Sequence, residues 1–254
     1  MRQKTIGVMG AMPEEVNGII QLLTDSEEVR LGMRTYYTGQ LNGVPIVVVF
    51  SRWGKVAAAT TVSTLILHFN VSEIIFTGVA GAIDSGLNAG DIVIGKRLIQ
   101  HDLDGRPLMK QFEIPLLGVQ YLEAPPEALE RAVKAVHTLL DGNHLFSAVG
   151  EKELRTFGIV KPKVVAGDIA SGDQFFASSK AKEELLQKLP GVLCVEMEGA
   201  AVAQVCYEYG ISFTVLRTVS DTADEQSHID FPAFIEKISN KYSIEIVKNI
   251  LQCL

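Results

Sequence analysis

Gly191-Val192-Leu193-Cys194-Val195-Glu196-Met197-Glu198-Gly199-Ala200-Ala201 is the stretch from which the rest of the chain can be read. The apolar, β-branched run up to Val195 reads as a buried strand. It stops at two carboxylates, Glu196 and Glu198, separated by Met197, and passes into a helix of small residues able to lie close against a sheet. Gly210 stands where a left-handed residue closes such a helix. Ile211 to Val219 then reads as a second buried strand, whose end carries Arg217, Ser220, Asp221 and Asp224. Two neighbouring strands that both end in charge imply a crevice, because ligands of open α/β sheets collect outside the carboxyl ends of strands. Glu196, Met197 and Glu198 alternate in direction on an extended backbone, so at most one of the two carboxylates is expected to face that crevice cleanly, and acids in this place also favour a helix N-terminus.

The whole chain has 254 residues, is 47% hydrophobic and carries a formal net charge of -7, which suits one large α/β domain spanning residues 1–254 with a sizeable core. No stripe of Lys and Arg appears, so no nucleic-acid partner is expected. No apolar run reaches the length of a membrane span, and Met1-Arg2-Gln3-Lys4 leads straight into a strand with no leader pattern. Cys194, Cys206 and Cys253 are widely spaced in apolar context and read as buried free thiols of a reducing, cytoplasmic compartment.

Working outward, Thr5 to Gly10 reads as the first buried strand, and Ala11-Met12-Pro13-Glu14-Glu15-Val16 as the opening of a helix with Pro13 in its first turn. A glycine turn between strand and helix commonly holds phosphate. Here Glu14 and Glu15 occupy that turn without a basic residue nearby, so a phosphate would be repelled. Arg34–Gln40 and Pro45–Ser51 alternate as a hairpin about Asn42-Gly43. The loop Ser51-Arg52-Trp53-Gly54-Lys55 leads into a small-residue helix, Val56 to His68; its Trp53, the only tryptophan, would by default belong to the core. Ser72–Phe76 and Ile92–Ile94 continue the sheet, with a glycine turn at Thr77 to Ala82 between them. His101, Asp102 and Asp104 match no standard metal spacing, so no metal is expected, and no cofactor either. Gly105 to Ala124 reads as a long proline-bearing loop, of the kind that serves as a lid or as an arm to a partner subunit. Helices are expected at Pro126–Leu140, Lys180–Leu189 and, capped by Ser227 to Asp230, from Phe231 to about Leu251; 142–162 carries no clear pattern. Phe175 and Phe176 follow a glycine turn, where two aromatics can stack on a planar ligand, although burial in the core is the default.

Taken in order, several of these stretches resemble the bacterial methylthioadenosine/S-adenosylhomocysteine nucleosidases of the purine nucleoside phosphorylase superfamily. The resemblance rests on Gly7 to Glu15, Tyr37-Thr38-Gly39, Gly54-Lys55-Val56-Ala57-Ala58-Ala59, Thr77-Gly78, Ala89-Gly90-Asp91, Ser171-Gly172-Asp173, Val195-Glu196-Met197-Glu198, Arg217, Ser220-Asp221 and Asp224 to His228. It implies a three-layer αβα sandwich around a central mixed sheet, and hydrolysis of an N-glycosidic bond through an oxocarbenium-like state. In that reading Asp221 protonates the leaving adenine, Glu15 holds and activates the attacking water, and Arg217 helps to position it. Glu198 accepts hydrogen bonds from the ribose hydroxyls, Met197 lies under the sugar, and Ser220 stands beside the acid. Phe175 stacks on adenine, the backbone of Phe176 reads its edge, and Met12 and Phe231 wall the 5′-alkylthio group. The resemblance also implies a homodimer in which the 105–124 arm closes the partner's pocket.

Two residues depart from the family pattern. Val79 replaces a serine, removing a hydroxyl near the water, and Trp53 replaces a small aliphatic residue on the 5′ side, where an indole would narrow the cavity in favour of a small methylthio group. Three rival readings stay open beside this one: a phosphorylase of the same superfamily, a nucleosidase for an aminodeoxyfutalosine-type substrate, and a nucleoside-binding protein without catalysis.

Overall fold

The computed structural model describes residues 4–141, 143–221 and 231–254. In chain order it contains β1 (Ile6–Gly10), α1 (Pro13–Ile20), β2 (Thr24–Leu31), β3 (Arg34–Leu41), β4 (Val44–Phe50), α2 (Lys55–Leu67), β5 (Glu73–Phe76), β6 (Val79–Ala82), β7 (Ile92–Gln100) and β8 (Tyr121–Glu123). The second half adds α3 (Pro126–Leu140), α4 (His144–Val149), α5 (Glu151–Thr156), β9 (Val164–Ser171), α6 (Ser179–Lys188), β10 (Val192–Glu196), α7 (Gly199–Tyr209), β11 (Ser212–Asp221), α8 (Phe231–Phe234), a π-helical turn (Ile235–Ser239) and α9 (Asn240–Leu251).

The strands form one mixed sheet in the order β2-β3-β4-β1-β5-β11-β6-β10-β9-β7-β8, with β7 also pairing to β11. Alternation along the central strands supplies two apolar faces. Ile6 and Val8 of β1, Ile46 and Val48 of β4 and Ile75 of β5 pack beneath α1, α3 and α9. Met9, Val47, Val49, Ile74 and Phe76 point the other way, against α2 and α7. The expected αβα sandwich is therefore present. Ala58, Ala200, Ala201 and Ala203 are all buried, which is why α2 and α7 are built from small residues: they lie close to the sheet and to each other.

Several local expectations need correction. β10 and β11 are not neighbours, because the short β6 runs between them, antiparallel to β10 and parallel to β11. β6 itself occupies what reads in sequence as a glycine turn. The polar segment Thr24–Leu31 forms an edge strand, and its largely exposed faces explain why it has no hydrophobic alternation. The 105–124 arm is not free of structure: it ends in β8, paired with β7, and Phe112 and Ile114 are buried in the chain's own core. The last helix is interrupted by the π turn, Cys253 is exposed rather than buried, and the proposed cap at 227–230 and Asp224 lie outside the described residues.

β11 joins the two halves of the sheet. Thr214 and Val215 pair with β5, Leu216 to Thr218 with β7, and Thr218 onward with β6. At its middle stands Arg217, only 1% exposed. Its guanidinium bonds to Glu196 Oε2 through Nη2 at 2.6 Å and Nε at 3.2 Å, donates from Nη1 to the Leu216 carbonyl at 2.9 Å, and lies 4.0 Å over the Phe76 ring. Removing one member of a buried pair leaves the other charge without a partner. Glu196→Ala is therefore expected to cost about 3–5 kcal/mol of unfolding free energy; a urea-unfolding loss below about 1 kcal/mol would show that the pair does not hold the fold.

Candidate active site

The carboxyl ends of β1, β10 and β11 and the start of β6 meet around a cavity of about 380 Å³. Its walls bring together Met12, Glu15, Trp53, Val79, Phe175, Phe176, Met197, Glu198, Ser220, Asp221 and Phe231, which are all the residues expected there except Arg217. Arg217 does not line the cavity. It lies behind it, and acts on it through the carboxylates it faces.

Glu15 belongs to α1. Its Oε2 accepts from the backbone N–H groups of Ala11 (2.6 Å) and Met12 (2.9 Å), so the carboxylate that caps the helix is also the one turned to the cavity. Oε1 accepts from Val79 N–H at 3.3 Å. The approach depends on Gly78: a Cβ there would lie 2.6 Å from Glu15 Oε1 and 3.3 Å from Arg217 Nη1. Burial raises the Glu15 pKa, against the opposing pull of the Arg217 charge and the three backbone donors.

Both acids of Glu196-Met197-Glu198 line the cavity, but the Glu196 carboxylate is taken up by the helix start. Glu196 receives the N–H groups of Glu198 and Gly199 at the start of α7, the Ser171 hydroxyl and Arg217. Glu198 is the one with its carboxylate available to the cavity; its Oε1 accepts from Gly54 N–H at 2.7 Å. Gly54 has φ +93°, a conformation that side-chain-bearing residues rarely adopt, and this aims its N–H at Glu198. Burial, with the charge of Glu196 second, pushes the Glu198 pKa up to about 8.

At the end of β11 the Ser220 hydroxyl donates to Asp221 Oδ2 at 2.5 Å and lies 3.4 Å from the Ala80 carbonyl. Phe175 is 57% exposed and meets Phe231 edge-on at 6.4 Å, while Phe176 packs edge-on against His101 at 5.2 Å. Phe175 is thus not a core residue, nor is Trp53, which is 64% exposed, whereas Phe176 is half-buried against the core cluster that contains Ile83 and Ile99.

A group not anticipated from sequence locks three loops together. Lys55 Nζ pairs with Asp102 Oδ1 at 2.5 Å, Asp102 Oδ2 accepts from Asp173 N–H at 2.9 Å, and Asp173 Oδ1 accepts from Lys55 N–H at 2.8 Å. The only signal was His101-Asp102, which invites a metal reading. No group of ligands able to hold a metal occurs among the described residues. Asp102 works instead as a clasp between the Gly54 loop and the Phe175 loop.

Carboxylates rather than cations thus stand around a largely apolar cavity at the strand ends. The chain belongs to the phosphorylase superfamily, whose sequence pattern it matches over residues 5–252. It is 34% identical to the aminodeoxyfutalosine nucleosidase of Helicobacter pylori, over 97% of each chain. It is 33% identical to the 5′-methylthioadenosine/S-adenosylhomocysteine nucleosidase of Staphylococcus aureus, over 94% of this chain and 97% of that one. Among solved structures it is similar to the methylthioadenosine/S-adenosylhomocysteine nucleosidase of Colwellia psychrerythraea in complex with adenine, with a TM-score of 0.86, 30% identity, and coverage of 99% of this chain and 96% of that one.

The raised Glu198 pKa has a measurable consequence. Between the ordinary glutamate value of 4.5 and about 8, the folded chain keeps a proton that the unfolded chain has lost. Stability therefore falls with rising pH across that window. Glu198→Gln removes this term, so its melting temperature relative to the wild type should climb between about pH 5 and about pH 9. A difference that stays constant with pH would place Glu198 in an ordinary, solvated setting.

Proposed function

We propose that this chain hydrolyses the N-glycosidic bond of 5′-methylthioadenosine and/or S-adenosylhomocysteine, releasing adenine and the thiosugar. One observation carries the choice of water over phosphate as the acceptor. No Lys, Arg or His lines the cavity among the described residues, whereas Glu15 occupies the place where an anionic acceptor would sit. A phosphorylase needs cations there to hold its phosphate.

The residues take the following parts. Adenine lies against Phe175, with its edge on the backbone of Phe176. Glu198 hydrogen-bonds to the ribose hydroxyls, whose donation favours its ionised form against the effect of burial, and Met197 supports the sugar face. Glu15 holds the attacking water and takes its proton as the C–O bond forms at the anomeric carbon. Asp221 gives a proton to adenine N7 as the C–N bond breaks, and Ser220 fixes the carboxyl that gives it. Val79 supplies its backbone N–H to Glu15 but no hydroxyl to the water. Met12, Trp53 and Phe231 surround the 5′ substituent. Arg217 positions the carboxylates from behind, and the charge it lends favours the ionised form of Glu15.

A second reading has a specific observation behind it. The similarity to an aminodeoxyfutalosine nucleosidase is as high as that to a methylthioadenosine/S-adenosylhomocysteine nucleosidase. The two readings share an adenine nucleoside and differ only in the 5′ group. Intact Glu15, Glu198 and Asp221 favour catalysis over mere binding in either case. We place the enzyme in the cytoplasm, in salvage of the thionucleosides left by methionine-derived cofactors; no helix among the described residues is long and apolar enough to cross a membrane. We also infer a homodimer. On the 105–124 arm Leu108 and Leu116 are 90% and 104% exposed, while Phe112 and Ile114 anchor the same arm in its own core. That arrangement suits an arm offered to a partner's pocket.

Adenine release from methylthioadenosine is expected to proceed at one rate with and without phosphate; accumulation of a sugar 1-phosphate would establish a phosphorylase. Asp221→Asn should lower turnover by roughly 10²–10⁴ with the melting curve unchanged, since the amide keeps the shape and has no proton to give. Near-normal turnover would remove Asp221 from the mechanism. Light scattering at micromolar concentration should report a dimer, and a fully active monomer would refute the arm's role.

A further inference from the structure

Helix α2 starts without a cap of its own: Gly54, at its N-cap, has no side chain, and no acid stands in its first turn. The leading N–H groups of a helix have no partner inside it. Two of them here are met by carboxylates from far along the chain. Gly54 N–H donates to Glu198 Oε1 at 2.7 Å, and Lys55 N–H donates to Asp173 Oδ1 at 2.8 Å. Where α2 begins is therefore set by where those two acids are held.

Glu198 stands at the head of α7. Asp173, beyond the end of β9, is held by Asp102. Asp102 Oδ2 accepts from Asp173 N–H at 2.9 Å, and its Oδ1 accepts from Lys55 Nζ at 2.5 Å. Each of the three residues bonds to both of the others, so the clasp is a closed triangle. Its corner on the sheet is Asp102, just past β7, where His101 N–H continues the β7–β9 pairing to the Ser171 carbonyl at 3.0 Å. Burial raises the Asp102 pKa. The Lys55 and Asp173 hydrogen bonds, with the Lys55 and His101 charges, outweigh it and hold the carboxyl below its ordinary value.

On the nucleosidase reading, we propose that Asp102 is a positioning residue for the reaction. Through Lys55 and Asp173 it places the Gly54 N–H on Glu198 and, at the same time, fixes the loop that carries Phe175. One residue that lines no part of the cavity thus sets its sugar side and its base side together.

The fold does not depend on this triangle. Buried Ala58, Val62, Leu65 and Ile66 hold α2 in the core, and Gln100 and Ser171 pair at the ends of β7 and β9. A partly exposed ion pair such as Lys55–Asp102, with side chains 17% and 21% exposed, adds little stability. What it adds is position. Gly54 has φ +93°, and a Cβ there would lie 3.0 Å from Asp173 Oδ1, so only glycine suits this approach. Lys55 adjoins Gly54, and Asp173 lies close before Phe175, so a shift at the triangle reaches both sides of the cavity directly. Small displacements matter there, since about 1 Å can cost roughly 10²-fold in rate.

Asp102→Asn keeps the shape but sets one acceptor against two donors, and Lys55→Met removes the cation while keeping the stem. Each should lower kcat/KM for methylthioadenosine by about 10–100-fold with the melting curve unchanged. Members of one network are not additive, so the double variant should lose no more than the worse single one. The loss must fall on the sugar. The ratio of kcat/KM for methylthioadenosine to that for its 2′-deoxy and 3′-deoxy counterparts should drop about tenfold, towards its value in Glu198→Gln. Free adenine should also bind more weakly by calorimetry. A ratio that does not move overturns the sugar side, and an unmoved adenine affinity overturns the base side. Asp104→Asn is the control, because Asp104 bonds to Arg106 and not to the triangle. An equal effect there would trace the loss to surface charge in general and overturn the assignment to Asp102. Hydrogen exchange in the unliganded protein reads the Gly54 N–H directly. It should exchange about tenfold faster in Asp102→Asn while the amides of β1 and β10 do not change. Unchanged protection at Gly54 overturns the proposal whatever the substrate. Should the wild type release adenine from none of these nucleosides, the nucleosidase reading fails, and Gly54 exchange alone then decides whether Asp102 places the donor on Glu198.

Discussion

The site is organised around a buried charge pair whose cation lies behind the cavity. Arg217 and Glu196 meet at 2.6 Å with their side chains 1% and 3% exposed. Such a pair is a poor source of net stability, because desolvating two ions costs several kcal/mol each and their attraction does little more than offset that. Its merit is geometric. Glu196 gathers Arg217, the Ser171 hydroxyl and the first N–H groups of α7 onto one carboxylate. The ends of β9 and β10 and the middle of β11 are thereby tied at a single point. Burial alone would lower the Arg217 pKa, yet the nearby carboxylates of Glu196, Glu198 and Glu15 outweigh it and hold the guanidinium charged.

Around that fixed cation, three glutamates of identical chemistry take three roles through their surroundings. Glu196 is saturated with donors and is structural. Glu15 is saturated on one oxygen by the α1 N-terminus and only weakly engaged on the other, which leaves it able to hold a small polar molecule. Among the described residues the Glu198 carboxyl accepts from Gly54 alone, and its pKa is pushed to about 8, so it is the one most in need of further hydrogen bonds. Sugar hydroxyls would supply them. The order of donor satisfaction among the three follows the order expected for a scaffold residue, a water-holding residue and a substrate-binding residue.

Much of this was legible because the chemistry sits at strand ends, where polar residues interrupt apolar runs. Glu15, Glu198 and Asp221 each follow such a run, and the family resemblance places them together. The strands and helices that bury one face or two were equally clear, from β1 to α3. What escaped had a physical reason in each case. β2 leaves most of its residues in solvent and so has no alternation to read. α4 and α5 bury only Leu145, Val149 and Leu154 between them, too few to set a period. β6 is four residues of valine, alanine and glycine, whose strand character comes from its neighbours β10 and β11. The separate placement of Arg217, behind the cavity rather than in it, needs the depth of β11 and cannot be read from its position in the chain. The Lys55–Asp102–Asp173 clasp spans 118 residues of sequence and has no local signature.

The clasp also clarifies how such a site can change substrate without losing its reaction. Glu15, Glu196 and Arg217 are buried and bonded to backbone or to one another, so a change in any of them disturbs the fold and the chemistry together. The 51–55 loop is different. It is anchored at both ends, by Ser51 at the end of β4 and by the bonds of Gly54 and Lys55 to Glu198 and Asp173, yet Arg52 and Trp53 between them face outward and carry no part of that anchorage except the Met33 contact. Side chains there can vary while the Glu198 carboxyl stays in place. The departures of this chain from its family, Trp53 and Val79, both line the cavity, one on that loop and the other at the start of β6, where its backbone N–H meets Glu15. In the proposed reaction, buried charge would fix what is cleaved, and the anchored loop would leave the 5′ group to residues that the fold does not need.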